Sequence, residues 1–166
     1  MKKIIFILIV IMNVSCSKNE EIENCCFSLS VQEQFTILNQ RGDDLLNPNT
    51  SNYYPLDKMK LYYLINNEKI EVFDANMAYP RNIKLIDETN PYRLGIFTYN
   101  GEEGLISEVN GVKIGKSVAL LELREGVTDT IITEWKSIDN KYFANGKVWY
   151  NGVLHEPATV PFEVRK

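Results

Sequence analysis

The chain has 166 residues, of which 45% are hydrophobic and 24% charged, and its 18 basic and 22 acidic side chains give a formal net charge of −4. That length accommodates one globular domain, which excludes large multidomain enzymes, and the composition fits neither a disordered chain nor a multi-span membrane protein. With no basic surplus to neutralise a phosphate backbone, no nucleic acid is expected as a partner.

At the N-terminus, Lys2 and Lys3 precede an unbroken apolar run from Ile4 to Met12. A cationic start followed by a short greasy core is signal-peptide architecture, assigned here to residues 1–15, and nine apolar residues are too few for the roughly 20 that a bilayer span needs. The tetrapeptide Asn13-Val14-Ser15-Cys16 resembles a bacterial lipobox, departing from it at Asn13, where the usual pattern has Leu. The resemblance implies cleavage before Cys16 and lipidation of that cysteine. Residues 16–24 then read as a lipidated tether, and Ser17-Lys18-Asn19-Glu20-Glu21 is similar to the polar, acidic tract that follows the anchor in Bacteroidota-type lipoproteins. The implied location is the bacterial cell envelope, as an outer-membrane lipoprotein on its periplasmic or surface-exposed face, with the membrane as a partner through the lipid. Because two lysines lie in the removable segment, its loss carries the net charge from −4 to −6.

Cys25 and Cys26 are the other cysteines. Neighbouring residues are too close for ordinary disulfide geometry, so two thiols at the edge of a 25–166 domain are favoured over a bridge. A zinc site would need more ligands than these two and the lone His155 provide, and no metal or other cofactor is expected.

From Phe27 onward the hydrophobic period is two. Phe27, Leu29, Val31, Phe35 and Ile37 share one face of a strand, and Glu33 interrupts that face, marking a bend, a bulge or a passage between sheets. The polar stretch Gln40 to Leu56 has the character of a long inter-strand crossover. Around Asn66-Asn67 a two-residue turn predicts Ile65 opposite Glu68, Tyr63 opposite Ile70 and Leu61 opposite Val72, with Met59 on the same face. Four Asn-Gly pairs follow, at residues 100–101, 110–111, 145–146 and 151–152, each a hairpin signal because both central residues of a type I′ turn need positive φ. They predict Val109 opposite Val112, Glu108 opposite Lys113, and the pairs Tyr150/Val153, Trp149/Leu154, Val148/His155 and Lys147/Glu156. Further strands are expected near Asn82 to Asp87, Tyr92 to Tyr99, Val118 to Arg124, Val127 to Trp135 and Thr159 to Val164; the segment Ser117 to Glu125 fits either a strand or a short helix. About ten short strands with tight turns define an all-β antiparallel sandwich, immunoglobulin-like or Greek-key, with a small antiparallel barrel as the alternative.

The run from Phe35 to Phe73, with Gly42-Asp43-Asp44-Leu45-Leu46-Asn47-Pro48 and Tyr62-Tyr63-Leu64, is similar to small uncharacterised lipoproteins of the same bacterial group. Those proteins carry no assigned activity as a class, so the likeness implies compartment and architecture alone.

Chemistry is sparsely signalled. One histidine and no Gly-x-Ser-x-Gly elbow leave hydrolase triads without support, and His155 reads as a packed hairpin residue. Asp43-Asp44, Glu102-Glu103 or Asp129 could pair for glycoside cleavage, a distance that sequence does not fix. The oxygen-rich segment Asp43 to Asn49 lacks EF-hand spacing and reads as turn chemistry. The aromatic residues Tyr53, Tyr54, Trp135, Trp149 and Tyr150 are the candidate ligand-binding set, a stacking surface for a glycan or an envelope protein. The expectation is a lipid-anchored, non-enzymatic binding or structural accessory module, with an envelope glycan hydrolase using two acidic residues as the alternative.

Overall fold

The computed structural model describes residues 28–30, 32–98, 104–138, 142–156 and 161–166; the signal-like segment, Cys16, Cys25, Cys26, Glu102-Glu103 and the pair Asn100-Gly101 lie outside the described residues. The strands are β1 (Ser28–Ser30), β2 (Gln32–Leu38), β3 (Lys60–Ile65), β4 (Glu68–Glu71), β5 (Ile83–Ile86), β6 (Arg93–Phe97), β7 (Leu105–Val109), β8 (Val112–Arg124), β9 (Val127–Ile138), β10 (Tyr142–Tyr150), β11 (Val153–His155) and β12 (Phe162–Arg165). Helical structure among the described residues is limited to one 3-10 turn, Leu56–Lys58.

Two sheets face each other as a β-sandwich. The larger runs β1-β10-β9-β8-β3-β4, with β11 also on β10 and β7 also on β8; the smaller runs β12-β2-β6-β5. All pairs are antiparallel except β1 with β10 and β12 with β2. Neither sheet closes on itself, which sets the barrel alternative aside. β1 belongs to the larger sheet and β2 to the smaller, so the chain changes sheet just before Glu33. The crossover between β2 and β3 also passes from one sheet to the other, as does the connection between β4 and β5.

The hairpin registers follow from turn chemistry. Asn66 and Asn67 both adopt positive φ, and Ile65 pairs with Glu68 and Tyr63 with Ile70, while the Val72 amide donates to the Leu61 carbonyl at 2.8 Å. Asn110-Gly111 and Asn151-Gly152 likewise carry positive φ and set Val109 against Val112 and Tyr150 against Val153. Lys147 and Glu156 meet at 3.2 Å. Asn145-Gly146 departs from the expectation: it lies inside β10, where the register with β9 shifts between Asn145 and Val148, so the extra residue is absorbed as a bulge and not as a hairpin corner. The ambiguous segment Ser117 to Glu125 is strand, its alternate residues Ser117, Ala119, Leu121 and Leu123 all buried.

Between the sheets, Phe35, Ile37, Ile83, Leu94, Ile96 and Val164 from the smaller meet Leu61, Ala119, Leu121, Leu123, Ile131, Val148 and Tyr150 from the larger. Full burial of side chains of this size contributes about 1.5–3 kcal/mol each, which is the main force holding the layers together. Phe35 sits at the centre, edge-on to Tyr150 at 5.1 Å and stacked on Phe162 at 5.2 Å. The inward faces are not apolar throughout, because Glu33, Thr98, Ser117, Asp129, Thr133 and Ser137 are buried too. Trp135 fits among them because its cross-strand partner is Gly115; a Cβ there would lie 2.3 Å from Cζ2 of the indole.

Candidate functional site

The five aromatic candidates do not form one surface. Tyr54, Trp135 and Tyr150 are buried, and Tyr54 and Tyr150 belong to the main core cluster. The reason for Trp149 and Tyr150 is the strand period, which turns Trp149 outward and Tyr150 inward. Trp149 lies half-buried on the outer face of the larger sheet, between Ile132 and Leu154 in register, with the Lys116 ammonium 4.8 Å from its ring. Tyr53 stays half-buried at the surface, and it alone of the five lines the principal cleft.

That cleft has a volume of about 570 Å³, within the roughly 300–1,000 Å³ of small-molecule sites. It opens where two of the inter-sheet connections, β2 to β3 and β4 to β5, meet. Tyr53, Pro55, Leu56 and Asp57 come from the crossover before β3; Phe73, Pro80 and Arg81 come from the connection after β4; Ile83 begins β5. Phe73 is 62% exposed and Leu56 39% exposed, so apolar surface that a core would ordinarily hide faces solvent here.

The walls are held by local hydrogen bonds. The Tyr54 amide donates to the Leu45 carbonyl at 2.8 Å, and the Lys58 and Met59 amides close the 3-10 turn on the Pro55 and Leu56 carbonyls. On the other side, the Asp74 amide donates to the Pro80 carbonyl at 2.8 Å, and Asp74 Oδ1 accepts from the Asn76 amide at 2.9 Å. Asn82, at φ 54°, turns the chain into β5, accepts from the Phe97 amide at 3.0 Å and donates through Nδ2 to the Tyr63 hydroxyl at 3.0 Å. Tyr63 in turn donates to the Phe97 carbonyl at 2.9 Å, joining β3 of one sheet to β6 of the other. Burial raises the Tyr63 pKa above the usual phenol range, which keeps this donor protonated. Arg81 links the walls directly, its Nη1 donating to the Asp57 carbonyl at 2.7 Å.

The carboxylates singled out by sequence have structural partners. Asp43 accepts from Asn39 Nδ2 at 2.7 Å and pairs with Arg41 at 3.1 Å; the Asn39 bond is the leading cause of its lowered pKa. Asp44 accepts the Leu46 amide at 2.9 Å and, across the fold, the Tyr92 amide at 2.8 Å. Asn47 caps the Asn49 amide, completing a run of side-chain turns from Asp43 to Asn49. Asp129 is buried and receives Tyr150, Asn151 and Lys166. His155 pairs with Val148 and stacks on Phe162 with ring centroids 4.0 Å apart. Among the described residues no group of three His, Cys, Asp or Glu side chains could hold a metal ion, and no helix is long and apolar enough to cross a membrane.

Sequence reasoning did not join Phe73 to Tyr53. Pro55 and Pro80, one in each half of the cleft, are the sequence signal that could have marked these connections as shaped walls. The site and fold together define an all-β sandwich with an open apolar cleft at its inter-sheet connections. No protein family, curated protein or solved structure matches the chain.

Proposed function

We propose that the chain is a lipid-anchored, non-enzymatic binding module of the bacterial cell envelope, an outer-membrane lipoprotein held at Cys16 and engaging its ligand through the cleft. One observation carries the binding role: a concave site of about 570 Å³ that leaves Phe73 and Leu56 open to solvent on walls fixed by hydrogen bonds. Exposed apolar surface costs solubility, and its retention in a preformed concavity is the usual mark of a ligand site. The anchoring half rests on the cationic, apolar leader and the lipobox-like Asn13-Val14-Ser15-Cys16. Acyl chains contribute about 0.8 kcal/mol per buried CH₂, so a multiply acylated Cys16 holds the domain at a membrane without help from the sandwich surface.

The test is expression of the full chain in a bacterial host with labelled palmitate. Wild type incorporates label and fractionates with the outer membrane, and Cys16→Ser does neither. Label-free wild-type protein in the soluble fraction would refute the anchor.

A further inference from the structure

We infer that the cleft takes a small monoanion with a flat apolar body, its carboxylate held by Arg81; this rests on the binding role proposed above and names the ligand class. The cleft is apolar on most of its lining, through Tyr53, Pro55, Leu56, Phe73, Pro80 and Ile83. A purely apolar ligand would need no charge there, yet a guanidinium is built into the wall. Arg81 spends one N–H on the Asp57 carbonyl at 2.7 Å, which fixes the side chain in place. A guanidinium carries five N–H donors; Arg81 lines the cleft, and among the described residues it makes one hydrogen bond, to the Asp57 carbonyl, and no ion pair with a carboxylate.

Among the described residues the one acid on the lining is Asp57. Its carboxylate lies 3.5 Å from the Lys58 ammonium, both largely exposed, so that charge is offset locally. With Lys58 beside Asp57, the Arg81 guanidinium is the charge on the lining that has no oppositely charged partner among the described residues, in a chain that is acidic overall. Arg matches a carboxylate with two parallel N–H···O bonds, and the fixed fork gives orientation as well as attraction. The aromatic faces of Tyr53 and Phe73 favour a planar body over a branched one. The volume suits a molecule of two or three rings and not a folded partner.

The experiment is calorimetric titration of the full chain with 2-naphthoate and with its neutral counterpart 2-naphthamide. Wild type binds the acid at least about tenfold more tightly than the amide, as expected for a lost charge-assisted hydrogen bond. Arg81→Gln loses that preference while keeping the amide affinity, which also shows that the variant is folded; Arg81→Lys restores part of it. Phe73→Ala weakens both probes. Equal binding of acid and amide to wild type, with Arg81→Gln unchanged and Phe73→Ala weaker, would overturn the assignment to an anion and leave the cleft standing as a binding site. Binding of neither probe would overturn both.

Discussion

Tyr150 donates its hydroxyl to Oδ2 of Asp129 at 2.6 Å, both groups buried on the inward face of the larger sheet. Desolvation, followed by the neighbouring carboxylate, pushes the phenol pKa far above its ordinary value. Oδ1 of Asp129 accepts Asn151 Nδ2 at 2.7 Å and the ammonium of Lys166, whose own amide donates to the Leu38 carbonyl at 2.9 Å. One carboxylate thereby ties β9 and the turn after β10 to the end of β12, joining the two sheets.

Breaking that tie is costly because it leaves a buried partner unsatisfied, the Asp129 acceptor when Tyr150 is changed and the donors when Asp129 is changed. Tyr150→Phe should destabilise the fold by about 1–3 kcal/mol. Asp129→Ala should cost more, about 2–4 kcal/mol, short of the full value for a completely buried pair because Lys166 keeps some exposure. Urea unfolding midpoints at pH 7 check both, with the order Asp129→Ala below Tyr150→Phe below wild type.

The Trp135 seat depends on a missing side chain. Gly115→Ala places a methyl 2.3 Å from the indole and 2.8 Å from the Gly104 carbonyl. Overpacking of this kind costs about 1–3 kcal/mol, read as a lower thermal midpoint, and a red shift of Trp fluorescence would report the displaced ring.

At the cleft the expected pattern is reversed. Phe73→Ser removes a 62% exposed side chain and should change stability by less than about 0.5 kcal/mol in urea unfolding. The same substitution should weaken ligand binding, since it takes away one wall. Loss of stability comparable to a core mutation would mean that Phe73 serves packing instead.

His155 gives a pH dependence. Burial lowers its pKa below the ordinary 6.5, so between that value and the lower native one the unfolded chain binds more protons than the folded chain. Stability then rises with pH across this window: the contribution is complete above 6.5 and is lost as pH falls toward the native pKa. Comparing unfolding free energies of wild type and His155→Gln from pH 5 to 8, the difference between them should change below about 6.5 and be flat above it.

Much of the sandwich was legible because turn chemistry and strand period act locally. Asn66-Asn67, Asn110-Gly111 and Asn151-Gly152 each fixed a register residue by residue, since positive φ at both corner positions allows few alternatives. Asn145-Gly146 carries the same dipeptide within a paired strand, and only the pairing of β10 with β9 decides that it is a bulge. The polar inward face of β9, with Asp129, Thr133 and Ser137, was also out of reach: alternation gives two faces, and Thr128, Thr130 and Ile132 make the other equally plausible. The cleft depends on residues 17 to 30 apart in the chain, Tyr53 to Leu56 against Phe73 to Ile83, brought together when two connections cross between sheets. No local pattern encodes that meeting.

The most direct measurement of the binding role is two-dimensional NMR of the isotopically labelled full chain titrated with 2-naphthoate, following every resolved backbone amide. Saturable shifts confined to residues 53–57, 73–74 and 81–83 are the expected result. Shifts centred on Trp149, Ile132 and Leu154, or no saturable shifts at all, would contradict the cleft as the place where this protein meets its ligand.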